Sequence, residues 1–189
     1  MTKKDQIFEA ALNLFIDLGF DNTPTSKIAA EAGVATGTLF HHFKTKEDLI
    51  NELYLEVKKD ITLSLKKGFD PEKDIKEQIR HFWCRFIEWG MANPRSFTFN
   101  SRFCESPYIS RGSRRIFTET TIELTKDIVE EGHKLGMFKN LPIDYLSARA
   151  TGMLVRAAGY FITNPECYID QSFREKTFRT FWDMLAKSQ

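Results

Sequence analysis

The sequence predicts an all-α protein in which a small N-terminal three-helix domain is joined to a larger helical domain. Three observations carry this. Apolar residues recur at the 3.6-residue period of a helix face through almost every segment. Glycines, prolines and capping side chains fall where those runs stop. No segment shows the period-two alternation, bounded by turns, that a sheet requires.

In the first helix Ile7, Ala10, Ala11, Leu14, Phe15 and Leu18 share a face, and Gly19 stops it. Ile28, Ala29 and Ala32 place an apolar stripe on the second. Gly33 ends it, because glycine tolerates the left-handed conformation a helix exit often needs. Val34 tucks into the turn, and Thr36 is positioned to cap the third helix through its hydroxyl. Leu39 and Phe43, four apart, form that helix's buried face, so Thr36, Thr38, Phe40, His41 and His42 point elsewhere. The fourth helix opens at Thr45, with Asp48 three residues on as an approximate capping box. It runs through Leu49, Leu53, Val57, Ile61 and Leu65 to Gly68.

Asp70–Pro71 reads as a cap followed by the first helical position, opening a fifth helix that carries Ile75, Ile79, Phe82, Trp83 and Phe86. Asn93–Pro94 repeats the signal, and Ser106–Tyr108 breaks the chain again. A long helix over about 110–133 ends at the glycines of EEGHKLGMF. Two more, about 142–163 and 170–187, are separated by Asn164–Glu166. The division this suggests is 1–47 and 48–189. A continuous fourth helix would join the two parts and transmit movement from one to the other.

Residues 25–49, TSKIAAEAGVATGTLFHHFKTKEDL, carry the chemistry. Two short helices meet at a tight turn, and the second shows small polar and aromatic groups on its outer face. That arrangement describes a helix-turn-helix DNA reader. Major-groove base edges present a unique donor and acceptor pattern. Thr36 and Thr38 are short enough to reach it, and Gly37 permits close backbone approach. His41 can donate to a base or a phosphate. His42, Lys44, Lys46 and Thr25 suit phosphates, beside the backbone N–H groups at the start of the fourth helix.

Bulk composition narrows the alternatives. The chain has 189 residues, enough for one sizeable domain or two small ones, and its 17 phenylalanines demand an aromatic core or pocket. Net charge is +1, so there is no global nucleic-acid signature. Within residues 1–50 the acids Asp5, Glu9, Asp17, Asp21, Glu31, Glu47 and Asp48 outnumber Lys3, Lys4, Lys27, Lys44 and Lys46. That balance is unusual for a DNA-binding domain, unless the acids lie away from the duplex while Lys3, Lys4, Lys44 and Lys46 meet phosphates. Cys84, Cys104 and Cys167 are odd in number and scattered, which fits a reducing cytosol and neither a disulfide framework nor a zinc site. The N-terminus has acids and an amphipathic period where a signal peptide has an unbroken apolar core. No run approaches the roughly 20 apolar residues of a membrane span.

The segments IFEAALNLFIDLGFDNTPTSKIA, AEAGVATGTLFHHF and KTKEDL closely resemble the N-terminal domain of the TetR/AcrR family of transcriptional repressors. The match covers roughly the first fifty residues. Beyond them the likeness lies in length, helical character and EEGHKLGMF. The resemblance implies DNA contacts at Thr25, Thr36, Gly37, Thr38, Phe40, His41, His42 and Lys46. The family usually has tyrosine where this chain has Phe40, so a phosphate-contacting hydroxyl is missing there. The resemblance also implies a homodimer on a near-palindromic operator and release by a small-molecule effector, with no cofactor, metal or catalytic residue.

The last two helices, about 142–163 and 170–187, are the expected dimer elements. Ala148, Gly152, Ala158 and Gly159 permit close helix contact on the first, and Phe173, Phe178, Phe181, Trp182 and Leu185 lie on the second. The same aromatic residues would also serve an internal helix pair. Phe82, Trp83, Phe86, Trp89, Phe97, Phe99 and Phe103 crowd two consecutive helices, as core or as the wall of an apolar cavity. The cavity reading takes Phe82, Trp83, Phe86, Trp89, Phe99, Arg102 and Phe103 as ligand contacts, with polar groups from Glu88, Asn100, Arg102 and Glu105. It points to an apolar or aromatic effector. Two other function classes compete. An enzyme would have to use His81 and Cys84, the one close pair of its kind, without any phosphate loop or nucleophile elbow. A ligand-independent scaffold could retain the helix-turn-helix as a structural corner.

Overall fold

The computed structural model describes residues 1–187. Residues 188 and 189, which close the second domain as read from the sequence, lie outside the described residues. Ten helices are named among the described residues: α1 (Lys3–Leu18), α2 (Thr25–Glu31), α3 (Thr36–His42), α4 (Lys46–Lys66), α5 (Ile75–Ala92), α6 (Pro94–Phe103), α7 (Arg111–Lys134), α8 (Ile143–Thr163), α9 (Pro165–Ile169) and α10 (Gln171–Leu185). The predicted all-α class is what the chain adopts. The sole β feature among the described residues is an isolated bridge between Phe138 and Ala186.

By compactness the chain forms two units, one of Met1–Asp60 with Arg95–Thr118, the other of Ile61–Pro94 with Glu119 onward. Helices α4 and α7 each run from one unit into the other. These units interleave in sequence, whereas the 47/48 division is one of expected function.

In the first unit α1 buries Ile7, Ala10, Ala11, Leu14 and Phe15 against α2 and α3, which contribute Ile28, Ala29 and Leu39. Gly19 and Gly33 take φ of +80° and +65°, the left-handed region that stops α1 and α2. Residues 95–118 complete this unit. Phe20, at the exit of α1, meets Phe103 at 4.4 Å, Phe99 at 6.1 Å and Tyr108 at 5.3 Å between ring centroids. Arg95 pairs with Asp17 at 2.9 Å, and Arg102 donates to the Ile16 carbonyl at 3.2 Å. Asn51 on α4 accepts from the Ser110 amide and the Ser113 hydroxyl, both at 2.8 Å, and donates to the Tyr108 carbonyl.

In the second unit α5, α8 and α10 pack together, with α9 as a short link between the last two. Trp83 of α5 meets Phe161 of α8 and Phe178 of α10 edge-on, at 6.0 and 5.7 Å.

One helix start follows its local capping signal and two depart from theirs. The capping box at Thr45 is complete: the Asp48 amide donates to Thr45 Oγ1 at 3.0 Å and the Thr45 amide to Asp48 Oδ2 at 3.1 Å. Thr36 does not cap α3. Ala35 holds the cap position without a side-chain bond, and Thr36 is the first helical residue. Asp70–Pro71 does not open α5. Asp70 accepts from the Glu72 amide two residues on, which closes a turn, and Asp74 is the cap, accepting from the Glu77 amide at 2.9 Å. On α10, Phe178, Phe181, Trp182 and Leu185 are buried within the unit, so these residues serve the internal helix pair.

Candidate nucleic-acid interface

α3 is held by one buried side. Leu39 is fully buried and Phe43, at the helix exit, is 1% exposed. Phe8 covers Phe43 at 5.3 Å. With that side fixed, Thr36, Gly37, Phe40, His41 and His42 are exposed and Thr38 is half-buried. The structure therefore brings the predicted α3 residues together on one short solvent-facing helix. A Cβ at Gly37 would meet no atom within 4 Å. Nothing inside the protein requires glycine there. Phe40 is 44% exposed, so it is no core residue either.

The lysines divide. Lys3 and Lys44 are exposed. Lys4 pairs with Glu52 at 2.7 Å and lies 5.3 and 5.6 Å from the Phe8 and Phe43 ring centroids. Lys46 is half-buried and donates to the Phe20 carbonyl. Thr25, half-buried, begins α2, where Ser26 and Lys27 are exposed. Sequence reasoning left those two out of the candidate set; their positions in the first turn of α2 are the signal that could have found them.

The acidic balance of residues 1–50 also has a structural account. Asp5 accepts from the Thr2 amide, a bond that holds its carboxyl below the usual range, and Asp48 caps α4. Asp17 pairs with Arg95, and Asp21 accepts from the Tyr108 hydroxyl, raising that phenol's pKa. None of these carboxylates is on α3. Residues 95–118 add five arginines and a single glutamate to the same unit.

The second unit contains a cavity of about 220 Å³. Phe82 and Trp83 of α5 line it, with Leu124 and Ile128 of α7, Leu146 and Leu154 of α8, and Phe181 of α10. The seven aromatic and polar residues read as one ligand set are divided between the two units. Phe82 and Trp83 reach the cavity. Phe86 and Trp89 belong to the same unit but are buried in its core, their rings 5.9 Å apart. Phe99 and Phe103 are in the other unit, packed on Phe20, and Arg102 there holds the end of α1. Of the other polar candidates, Glu88 accepts from Tyr168 at 3.0 Å and pairs with Arg85 at 2.7 Å. Asn100 and Glu105 lie in the first unit. The α7 and α8 walls were missed, although both helices repeat apolar residues at four-residue spacing, Leu124 with Ile128 and Leu146 with Ala150 and Leu154.

His81 and Cys84 form no catalytic pair. His81 Nε2 lies 2.9 Å from the Leu65 carbonyl, and burial pushes the Cys84 thiol up, away from the reactive thiolate. Among the described residues no helix is long and apolar enough to cross a membrane.

The model for bacterial regulatory proteins of the tetR family matches residues 7–53, and that for the tetracyclin repressor-like C-terminal domain matches residues 54–163. A solved chain described as a TetR-family transcription regulator from Shewanella sp. PV-4 is 33% identical over all of both chains, with a TM-score of 0.92. An HTH-type transcriptional regulator of Haemophilus influenzae is 33% identical over 90 residues, 48% of each chain. The fatty acid metabolism regulator protein of Bacillus subtilis is 37% identical over 74 residues, 39% of this chain and 38% of that one. The chain thus spans about half or less of these two curated relatives. With a family model on each side of residue 53, an exposed α3 and a full-length structural match, the chain belongs to the TetR family of DNA-binding transcriptional regulators.

Proposed function

We propose that the chain acts as a homodimeric repressor that holds a near-palindromic operator and lets it go when a small apolar or aromatic molecule fills the cavity of the second unit. The observation that carries the reading is α3 itself: Leu39 is fully buried while Thr36, Gly37, Phe40, His41 and His42 face solvent on a helix with no other visible task. Thr36 and Thr38 read bases, Gly37 lets the backbone approach, and His41, His42, Lys44 and Thr25 hold phosphates. Phe40 packs against sugar. Lys46, tied to the Phe20 carbonyl, positions the start of α4 and its backbone N–H groups.

Two copies of α3 bind one duplex if the dimer sets them about one helical turn apart, roughly 34–36 Å. The outer side of α8 supports such pairing. Ala148 and Gly152 are exposed, a Cβ at Gly152 would meet nothing within 4 Å, and Tyr145 and Tyr160 are 52% and 47% exposed. A two-fold interface along that side would cover them. The effector acts by binding one dimer geometry better than the other, since equal affinity shifts nothing.

The test uses a labelled operator fragment. Wild-type protein should bind it with a steep salt dependence and release it as a cavity ligand is added. Leu154→Trp, which fills the cavity, should bind operator and ignore the ligand. Equal ligand response in both proteins would overturn the effector reading.

A further inference from the structure

We infer that the DNA-binding surface extends beyond the helix-turn-helix to the corner where α7 begins, and that Arg111 there meets a backbone phosphate flanking the half-site read by α3. This rests on the reading of α3 and the starts of α2 and α4 as the DNA face. The bonds of residues 106–113 tie this corner to both of those helix starts. Tyr108 donates through its hydroxyl to Asp21, in the short link that leads to Thr25 and α2. Its ring packs on Phe20, whose carbonyl takes the Lys46 ammonium at the start of α4. Asn51 accepts from the Ser110 amide and the Ser113 hydroxyl at 2.8 Å and donates to the Tyr108 carbonyl at 3.1 Å. Asn51 lies on α4 only about 7.5 Å beyond Lys46 along the axis. Arg114 closes the segment on itself, donating to the Ser106 and Ile109 carbonyls at 2.7 and 2.9 Å. The corner is thus ordered before a duplex arrives, which lowers the entropy lost on binding.

Charge singles out Arg111. Of the five arginines in residues 95–118, Arg95 and Arg102 hold α1, Arg114 holds the segment, and Arg115 is engaged within the protein. The Arg111 side chain is exposed and makes no hydrogen bond or ion pair among the described residues. Its neighbours Ser110 and Gly112 are small and exposed, so nothing bulky screens it. Two carboxylates, Asp21 and Glu47, act on the Tyr108 phenol at this corner. Unopposed, they would repel a phosphate. A guanidinium beside them offsets that repulsion and offers a fork of donors that matches phosphate oxygens.

The test uses the full chain and a duplex carrying the near-palindrome enriched from a random pool, with flanking sequence on both sides. Affinity is measured at several salt concentrations, and phosphate-ethylation interference maps the phosphates in contact. Arg111→Ala should weaken binding several-fold, flatten the salt slope by about one ion for each copy bound, and remove interference at a phosphate outside those lost in Lys44→Ala. Arg111→Lys should keep the slope. Lys126→Ala removes the same charge from an exposed α7 position in the second unit and should change neither readout. Thermal unfolding of Arg111→Ala should match the wild type, because the side chain is exposed and unbonded. A wild-type slope and interference pattern in Arg111→Ala, with Lys44→Ala impaired, would overturn the Arg111 contact and leave the α3 reading standing. If neither variant changes the slope, the DNA face itself is elsewhere and the inference falls with it. An equal loss in Lys126→Ala would reduce the effect to overall charge and overturn the contact as well.

Discussion

The ring of Phe138 lies where a side chain at residue 132 would begin: a Cβ on Gly132 would fall 2.2 Å from Phe138 Cε2. Phe138 cannot easily retreat. Its neighbours are pinned to the C-terminal segment by bonds from the Lys139 amide to the Leu185 carbonyl and from the Lys187 amide to the Met137 carbonyl, at 2.9 and 2.8 Å. Gly136, at φ +63°, turns the chain back after α7 so that this contact can form. The bare Cα of Gly132 thus fixes one end of the cavity, which Phe138 lines.

Gly132→Ala should therefore destabilise the protein, against the usual sign. In an open helix the change would stabilise by about 1 kcal/mol. Here the overlap should cost about 1–3 kcal/mol. Phe138→Leu in the same chain should recover much of the loss. Urea denaturation of the two single variants and the double variant checks this as a cycle; additive effects would separate the two residues.

Lys58 should make stability depend on pH above neutrality. It is 8% exposed, its ammonium 3.8 Å from the Phe117 ring centroid and 5.2 Å from that of Tyr54. Burial lowers its pKa from 10.5 to about 8, against the raising effects of Cys104 and Glu105. A folded pKa below the unfolded one means that the unfolded chain holds more protons between them, so stability rises with pH from about 8 toward 10.5 and is lost as pH falls through about 8. Tyr54, raised by burial to about 12, opposes this only above pH 10. Between pH 7 and 9.5 the wild type should gain on Lys58→Met by about 1–2 kcal/mol, measured by denaturant titration at each pH. Parallel curves would contradict it.

Asn51→Ala should cost about 1–2 kcal/mol, because the Ser113 hydroxyl loses the oxygen it donates to and keeps only Ser110 Oγ nearby, while the exposed Ser110 amide turns to water. Ser113 is buried at 6% exposure and has little access to water. Thermal unfolding reads the loss, and Asn51→Asp should retain part of the acceptor role.

Lys44→Ala should weaken operator binding to a similar degree on every sequence and flatten the salt slope by about one ion. Thr38→Val should leave the slope alone and alter preference at one base pair of each half-site by about 1–3 kcal/mol. Binding isotherms at several salt concentrations separate the two.

The helix-turn-helix was legible because its determinants are local. Gly33 stops α2, Leu39 and Phe43 are one turn apart, and Thr45 and Asp48 satisfy each other's amides. The start of α5 was not legible from Asp70–Pro71: Asp74 is the cap, and Ile75, the first helical residue, is 5% exposed. The aromatic cluster of α5 and α6 divides in a way its spacing could not show, because the division depends on distant partners. Phe99 and Phe103 answer to Phe20, some eighty positions earlier, and Trp83 to Phe161 and Phe178, about as far ahead. The acids of residues 1–50 misled for the same reason, since Asp17 and Asp21 meet Arg95 and Tyr108.

Selection of bound duplexes from a random DNA pool, run in parallel with the wild type and with Thr38→Ala, tests the central claim most directly. The wild type should enrich a near-palindrome whose half-sites lie about one helical turn apart, and Thr38→Ala should blur the base pairs nearest α3. Failure of the folded wild type to enrich any sequence at low salt, or identical enrichment by both proteins, would contradict the assignment of α3 as the reading helix.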